Sequence, residues 1–251
     1  MTDRHTILIT GASSGLGEGM ARRWAAQGKD LALCARRLDN LEALRAELLA
    51  ASPGIRVEVR SLDVSDAQAV RTVFTELDAT LGGIDRWVLN AGLGKGAGVG
   101  TGKAHANIET ATVNALGTLH QAEVAMELLR ARGEGHLVFI SSVASMRGMP
   151  KAQTSYAASK AFVSTLAQGI HAELRNAGSY IVVTTIRPGY IETAINRAVK
   201  TKLKVDLDTG CDALVAAIDA EPVVADVPRW PWLPLGKVMT HLPEQVSRRF
   251  V

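Results

Sequence analysis

Short apolar runs alternate with longer segments of helical periodicity along this chain, and that alternation restricts what it can fold into. Thr6–Thr10 is apolar and β-branched, and Leu31–Cys34, Arg56–Leu62, Arg86–Leu89, His136–Ile140 and Tyr180–Ile186 have the same character. Val223–Val227 is a weaker seventh run. Between them, Leu16–Gln27, Leu38–Ala50, Ala67–Leu81, Ala106–Arg130 and Ser155–Asn176 carry apolar residues at helical spacing. Strands that alternate with helices form right-handed βαβ units, which make a parallel sheet covered on both faces. The expected fold class is therefore α/β, a three-layer sandwich. No linker, repeat or low-complexity tract interrupts the chain before about residue 195, so residues 1–251 read as one domain.

Composition excludes several function classes. The net charge is only +3, with no concentrated basic stripe, so no nucleic-acid partner is expected. The two cysteines, Cys34 and Cys211, lie far apart and show no metal-ligand spacing; reduced thiols in a cytoplasmic protein are the expectation. His105, His120 and His171 are scattered through helical segments without ligand spacing, so no metal is assigned. The first residues run straight into a strand, leaving no room for a signal peptide, and no apolar run approaches the roughly 20 residues that span a bilayer.

The first strand leads into Thr10-Gly11-Ala12-Ser13-Ser14-Gly15-Leu16-Gly17. Glycines at such a junction let the backbone turn tightly and come close to a pyrophosphate. The helix that begins there offers unpaired N–H groups and the positive end of its dipole to that anion. Further along, Tyr156-Ala-Ala-Ser-Lys160 puts a phenol and an ammonium on one helical face, since i and i+4 are neighbours. A cation beside a phenol favours the phenolate, so Lys160 is expected to lower the pKa of Tyr156 from its ordinary value near 10. That would make Tyr156 an acid/base working near neutral pH. A serine pair, Ser141-Ser142, stands shortly upstream.

Taken together and in order, Thr10–Gly17, Asn90-Ala91-Gly92, Asn114, Ser142, Tyr156, Lys160 and Arg187-Pro188-Gly189 resemble the short-chain dehydrogenases/reductases. The resemblance covers roughly residues 5 to 195. It implies a Rossmann-type, doubly wound parallel sheet of about seven strands, a nicotinamide cofactor, and hydride transfer between a carbonyl and an alcohol. It further implies that Tyr156 donates a proton to the substrate oxygen, that Lys160 lowers the Tyr156 pKa and holds the nicotinamide ribose, and that Ser142 hydrogen-bonds the substrate carbonyl. Asn114 would position a water that links Lys160 to solvent. Asn90 has a structural role beside the cofactor in the family. The interval from Ser142 to Tyr156 is one residue longer than the commonest family spacing, which leaves Ser141 as an alternative to Ser142. By the same resemblance the cofactor site takes in Gly11, Ser13, Ser14, Gly15, Leu16, Gly17, Asn90, Ala91, Gly92, Tyr156, Lys160, Pro188, Gly189, Ile191 and Thr193. Asp63, with Val64 beside it, matches the family residue that contacts the adenine. Long helices of the kind predicted at Ala106–Arg130 and Ser155–Asn176 build homodimers and homotetramers in relatives.

Cofactor preference is readable after the second strand. Ala35 stands where NAD-preferring relatives place an aspartate, and Arg36 and Arg37 come next. A carboxylate there would repel a 2′-phosphate, whereas a guanidinium binds phosphate through two parallel bonds. The expectation is NADP(H), with Arg36 on the 2′-phosphate and Ser13 adding a bond, and hence reduction of a carbonyl. The plain alternative, an ordinary solvated helix start, sets two cations at the unfavourable end of a helix dipole. A non-catalytic NADP-binding sensor or scaffold is the second function class; the full set of Asn114, Ser142, Tyr156 and Lys160 argues for catalysis, since a pure binder has no need of a matched acid.

The substrate is the least legible part. Residues 195–251 form the substrate loop and a divergent C-terminal segment. Arg197, Lys200, Lys202 and Lys204 are either solvated or meet an acidic group. Trp230, Trp232, Leu233, Leu235, Val238 and Met239 supply more apolar surface than a solvated tail exposes. Either this segment folds back as a lid over a largely apolar, lipophilic carbonyl substrate, or it makes an interface or a peripheral membrane contact. The prolines at 228, 231, 234 and 243 are expected to prevent a continuous helix.

Overall fold

The structure is a computed structural model and describes residues 4–193 and 201–241, with side chains up to 236. Arg197 and Lys200 therefore lie outside the described residues. Seven strands form a single parallel sheet: β1 (Thr6–Thr10), β2 (Asp30–Ala35), β3 (Val57–Ser61), β4 (Arg86–Leu89), β5 (Glu134–Ile140), β6 (Tyr180–Pro188) and β7 (Val224–Val227). Their order is β3-β2-β1-β4-β5-β6-β7, so the winding reverses between β1 and β4. In open α/β sheets that reversal leaves a crevice at the carboxyl ends of the strands, where ligands bind.

The strands are apolar on both faces because both faces are covered. On one side Ile7, Ile9, Leu31, Leu33, Val88 and Val138 pack against Trp24 and Met20 of helix α1 (Gly15–Ala26), Leu41 and Leu44 of α2 (Leu38–Ala51), and Leu214 and Ile218. On the other, Leu8, Trp87, Leu89, Leu137 and Phe139 pack against Phe74 and Leu77 of α3 (Ala67–Leu81) and against Ala125, Leu129 and Val163. Successive residues of one strand go to opposite layers, the two-residue period of a pleated strand.

Three features differ from expectation. Leu207–Asp219 forms a helix outside the predicted set. Its signals are ordinary: Asp206 caps it by accepting from Thr209 N at 2.8 Å, and Cys211, Leu214, Val215 and Ile218 make a buried stripe. The single helix expected over Ala106–Arg130 comprises α4 (Ala104–Ala111), one turn of π-helix (Thr112–Leu116) and α5 (Gly117–Arg132). The long helix Thr154–Asn176 is α6, and Leu207–Asp219 is α7. The last helix, α8 (Arg229–His241), breaks at Trp230 and then runs on through Pro234. With the break at Trp230, Pro231 takes the first position of the continuing helix, where its missing N–H has no intrahelical acceptor to lose, and Pro234 lies inside that helix.

At the opposite end of the sheet from the crevice, the central strands hold a buried polar network. Arg86 of β4 donates through Nε to His136 Nδ1 at 3.0 Å, and its guanidinium pairs with Asp219, with Glu221 3.6 Å away. Arg4 donates to Glu221 at 2.9 Å, Trp24 Nε1 donates to Asp219 at 3.2 Å, and Arg86 lies over the Trp24 ring. Because Nδ1 accepts, the imidazole carries its proton on Nε2 and donates it to Thr184 Oγ1 at 2.9 Å; Thr184 in turn donates to Pro222 O at 2.7 Å. Each member's lone pairs and protons are thus used, as a buried network requires.

Burial, then the charges of Arg86 and Arg4, holds the His136 pKa well below its ordinary value. Above about pH 6.5 the ring is neutral folded and unfolded alike; below it the unfolded chain takes up a proton that the folded chain refuses, so stability falls with pH. Urea unfolding of the wild type between pH 7.5 and 5 should show this loss, up to about 1.4 kcal/mol per pH unit from this one group. The slope should be shallower by one proton in His136→Gln, itself less stable. Equal slopes in the two proteins would contradict the neutral, refused proton at His136.

Candidate active site

The crevice between β1 and β4 is closed at its base by one hydroxyl. Thr10 Oγ1, at the end of β1, accepts from Asn90 N and Ala91 N at 3.1 Å each. Asn90 Nδ2 reaches back to donate to Thr10 O at 2.8 Å. The chain beyond β1 turns at Gly11, whose φ of +67° few other residues adopt, and a Cβ on Gly17 would sit 2.5 Å from Gly11 O. The turn is thereby pressed against Asn90, and α1 starts at Gly15 with its N-terminus at the crevice. Ser14 stands at the N-cap without a side-chain capping bond, so the first-turn N–H groups remain available to an anion.

On one side the crevice is flanked by the ends of β2 and β3. Arg37, not Arg36, lies on the Gly-rich turn: its guanidinium donates to Ser13 Oγ at 3.0 and 3.2 Å and to Ser14 Oγ at 2.6 Å. Arg36 is exposed and close enough to Asp63 for its charge to help hold that carboxyl below the usual range; the larger cause is the bond from Ser65 Oγ at 2.7 Å. Val64 is buried, its carbonyl 3.3 Å from His120 Nδ1.

The π turn sets Asn114. Gly117 N–H bonds to the Thr112 carbonyl five residues back, and the wider turn carries Asn114, fully buried, toward the strand ends. Its Oδ1 accepts from Leu93 N at 2.7 Å, and its Nδ2 donates to Leu93 O at 2.9 Å and to Ser159 Oγ at 3.0 Å. Ser159, to which the sequence motif Tyr156-Ala-Ala-Ser-Lys160 assigns no role, donates to Tyr156 O at 2.7 Å. One amide thus ties the loop after β4 to the helix that carries the phenol. A Cβ on Gly92 would lie 3.2 Å from Asn114 Oδ1 and 3.4 Å from Lys160 Nζ, so amide, ammonium and bare backbone meet there.

Tyr156 stands in the first turn of α6, half-buried, and shares a hydrogen bond with Ser142. Ser142 follows β5 and caps a short 3₁₀ turn, Val143–Met146, by accepting from Ala144 N at 3.1 Å; Pro188 O lies 3.5 Å from its hydroxyl. Ser141 faces the other way, donating to Lys160 O at 2.8 Å and bonded to Ser164 Oγ at 2.7 Å. Lys160 is 5% exposed and donates from Nζ to Ile140 O at 2.8 Å. Burial lowers its pKa to about 8. The Tyr156 pKa does not fall as expected: burial raises it, the Ser142 bond opposes that rise, and Tyr190 adds to it. Lys160 directs its ammonium at the Ile140 carbonyl, and the cost of removing a phenolate from water decides the direction at Tyr156.

Beyond β6, Ile191 is buried and bridges to Val205, while Glu192 N and Tyr190 O bond to the Val205 backbone at 2.9 Å. Thr193 returns over the Gly-rich turn, its methyl 3.5 Å from a Cβ on Gly15. Pro188 ends β6 and Gly189 N bonds to Val227 O at 2.8 Å. Trp232 of α8 lies against Gly189 and edge-on to Tyr190, 5.5 Å between ring centroids. Of the two readings of the C-terminal segment, the fold-back is what α8 does at Trp232, while Trp230 stays exposed. No helix among the described residues is long and apolar enough to cross a membrane, and no group of three or more His, Cys, Asp or Glu side chains among them is placed to hold a metal ion.

The model of the short chain dehydrogenase family matches residues 5–204. The chain belongs to that family. An uncharacterized oxidoreductase of Mycobacterium tuberculosis is 52% identical over 248 residues, covering 98% of this chain and 97% of the relative. A short-chain dehydrogenase from Sphingobium yanoikuyae, solved in complex with NADPH, is 30% identical with a TM-score of 0.79, covering 95% of this chain and 96% of that one. One from Burkholderia phymatum superposes with a TM-score of 0.83 over 99% of this chain and 95% of that one at 22% identity, a likeness of fold. This short-chain dehydrogenase is thus an oxidoreductase acting on alcohol or carbonyl groups with a nicotinamide dinucleotide. The residues present fit such a cofactor: an uncapped helix N-terminus with bare glycine backbone for a pyrophosphate, and Gly92 beside Lys160 where a side chain would intrude.

Proposed function

We propose that this enzyme reduces an apolar ketone with NADPH, with Tyr156 as the acid. The observation that carries the reading is the convergence of the Ser142 and Tyr156 hydroxyls beside Lys160, with Asn114 holding the loop and the helix that bear them. A bound reduced nicotinamide supplies hydride to the carbonyl carbon. Ser142 donates to the carbonyl oxygen and holds it in place. Tyr156 then gives its phenolic proton to that oxygen as negative charge develops there. Lys160, with a pKa of about 8, is cationic at neutral pH and favours departure of that proton. Asn114 keeps Lys160 in line with a water that resupplies the proton. Ser13, Ser14, Gly15, Leu16 and Gly17 take the pyrophosphate, and Thr193 closes over them.

Support for NADPH comes from Arg36 and Arg37, the absence of an acid at Ala35, and the NADPH bound by the Sphingobium relative. Support for an apolar substrate comes from the aromatic pair that Trp232 of α8 makes with Tyr190. Assembly as a homodimer or homotetramer through α4, α5 and α6 is supported by Ile108, Leu116 and Phe162, large apolar side chains exposed on and between those elements.

Tyr156→Phe keeps the ring and removes the hydroxyl. Cofactor binding should persist while NADPH oxidation with ketones falls by on the order of 100-fold or more; near-normal turnover would remove Tyr156 from its role.

The two arginines should separate in titrations. Arg36→Ala should weaken NADPH by about 10- to 100-fold, the loss of a bidentate charged contact, and leave NADH little changed. Arg37→Ala should weaken both cofactors, because Arg37 also holds Ser13 and Ser14. Equal losses of NADPH and NADH in Arg36→Ala, or preference for NADH in the wild type, would refute the 2′-phosphate assignment.

Light scattering at micromolar concentration should give the mass of a dimer or tetramer, and a monomeric mass would rule the interface out.

A further inference from the structure

The segment that leaves β6 beside Ser142 carries an aromatic ring, and the proton-transfer scheme leaves it unused. Tyr190 follows Pro188-Gly189 at the end of β6, where the Pro188 carbonyl lies 3.5 Å from the Ser142 hydroxyl. What holds Tyr190 comes from the far end of the chain, beyond the family match at residue 204. Trp232 meets the Tyr190 ring at 65°, and it is 3% exposed although Trp230, two residues earlier, is 78% exposed. The indole is seated on bare backbone: a Cβ on Gly189 would fall 1.9 Å from Trp232 Nε1. Among the described residues that N–H has no hydrogen-bond partner, so it is packing that seats Trp232 there. One turn further along α8, Gly236 lies on Met146, where a Cβ would come 2.7 Å from the thioether sulfur. Met146 closes the 3₁₀ turn that Ser142 caps. Helix α8 therefore braces both segments that frame the reacting oxygen, 142–146 and 188–190.

We propose that Trp232 is a positioning residue that fixes Tyr190 as the wall of the carbonyl site, and that this wall selects ketones bearing a flat aryl group over small aliphatic ones. The proposal rests on the reductase reading for its choice of ligand. A tyrosine free to rotate would swing away from a substrate. Held edge-on by an indole that cannot move into Gly189, it presents a fixed ring against which a second flat group packs offset or edge-on. The Ser142 and Tyr156 hydroxyls then meet the polar end of the ligand while the Tyr190 ring carries the apolar part.

The test uses acetophenone and acetone as probes of the full chain. Binding to the NADP⁺ complex, in which no hydride can be transferred, is monitored by ligand-observed NMR titration; kcat and KM with NADPH are measured beside it. Tyr190→Leu and Trp232→Leu should each weaken acetophenone about tenfold or more, in Kd and in KM, and weaken acetone less, so that the acetophenone-to-acetone ratio falls. Trp232→Phe, which retains an aromatic edge, should restore acetophenone binding. The double leucine variant should be no worse than either single one, because the two side chains act as a unit. Equal losses for both ketones, unchanged acetophenone binding in Tyr190→Leu, or additive losses in the double variant would overturn the proposal. Should Trp232→Leu fail to fold, judged by its thermal melt and NADP⁺ affinity, the acetophenone-to-acetone ratio in Tyr190→Leu and Trp232→Phe decides the matter. A wild type that binds acetophenone selectively yet never oxidises NADPH would refute the reductase reading and leave the wall standing.

Discussion

The bonds between Thr10 and Asn90 are the constraint on which the site depends. Two adjacent strands, β1 and β4, send their chains away in different directions at this point. One hydroxyl accepting two backbone N–H groups, with the Asn90 amide returning to the Thr10 carbonyl, keeps the exits together. Both donors would otherwise lie orphaned in a part-buried crevice, at a cost of about 1–3 kcal/mol for a group left unmet. With that clamp in place the Gly-rich turn has only one surface to press against, and the start of α1 is aimed at the crevice.

From the clamp the order passes to α6, the helix that carries Tyr156 and Lys160, through Asn114. Its amide bonds the loop after β4 on one side and Ser159 on the other, and the π turn brings it there. Burying Lys160 costs desolvation, which its lowered pKa records, and the Ile140 carbonyl is the partner that offsets it in this state. Ser141 and Ser142 divide the work between them. The first fastens β5 to α6, and the second turns toward Tyr156. Burial that raises the Tyr156 pKa keeps the phenol protonated, a suitable resting state for a proton donor.

Stability and chemistry occupy opposite ends of one sheet. At one end Arg86, His136, Asp219 and Glu221 fasten the strands to the connection after α7 with charges whose partners are all in place. At the other, polar groups gather at the strand ends, and α8 folds back to brace them. A polar residue inside a strand therefore means a different thing at each end.

The sequence by itself determined the sheet, the glycine turn and the pairing of Tyr156 with Lys160 on one helix, because these are local. Two-residue and 3.6-residue periods report which faces are buried, and Tyr156 with Lys160 at i and i+4 needs only a helix to share a face. Helix α7 is just as local: its stripe of Cys211, Leu214, Val215 and Ile218 is plain in the sequence, next to a lysine-rich segment that masks where the helix begins. Tertiary structure decided the remainder. That Arg37 rather than Arg36 lies on Ser13 and Ser14, that Ser142 rather than Ser141 meets the phenol, and that Trp232 seats on Gly189 depend on pairs 24, 14 and 43 positions apart, brought together only by packing. The Tyr156 pKa moved opposite to expectation for the same reason. Charge spacing along a helix is written in the sequence, whereas the depth at which a folded chain buries a phenol is set by everything packed around it.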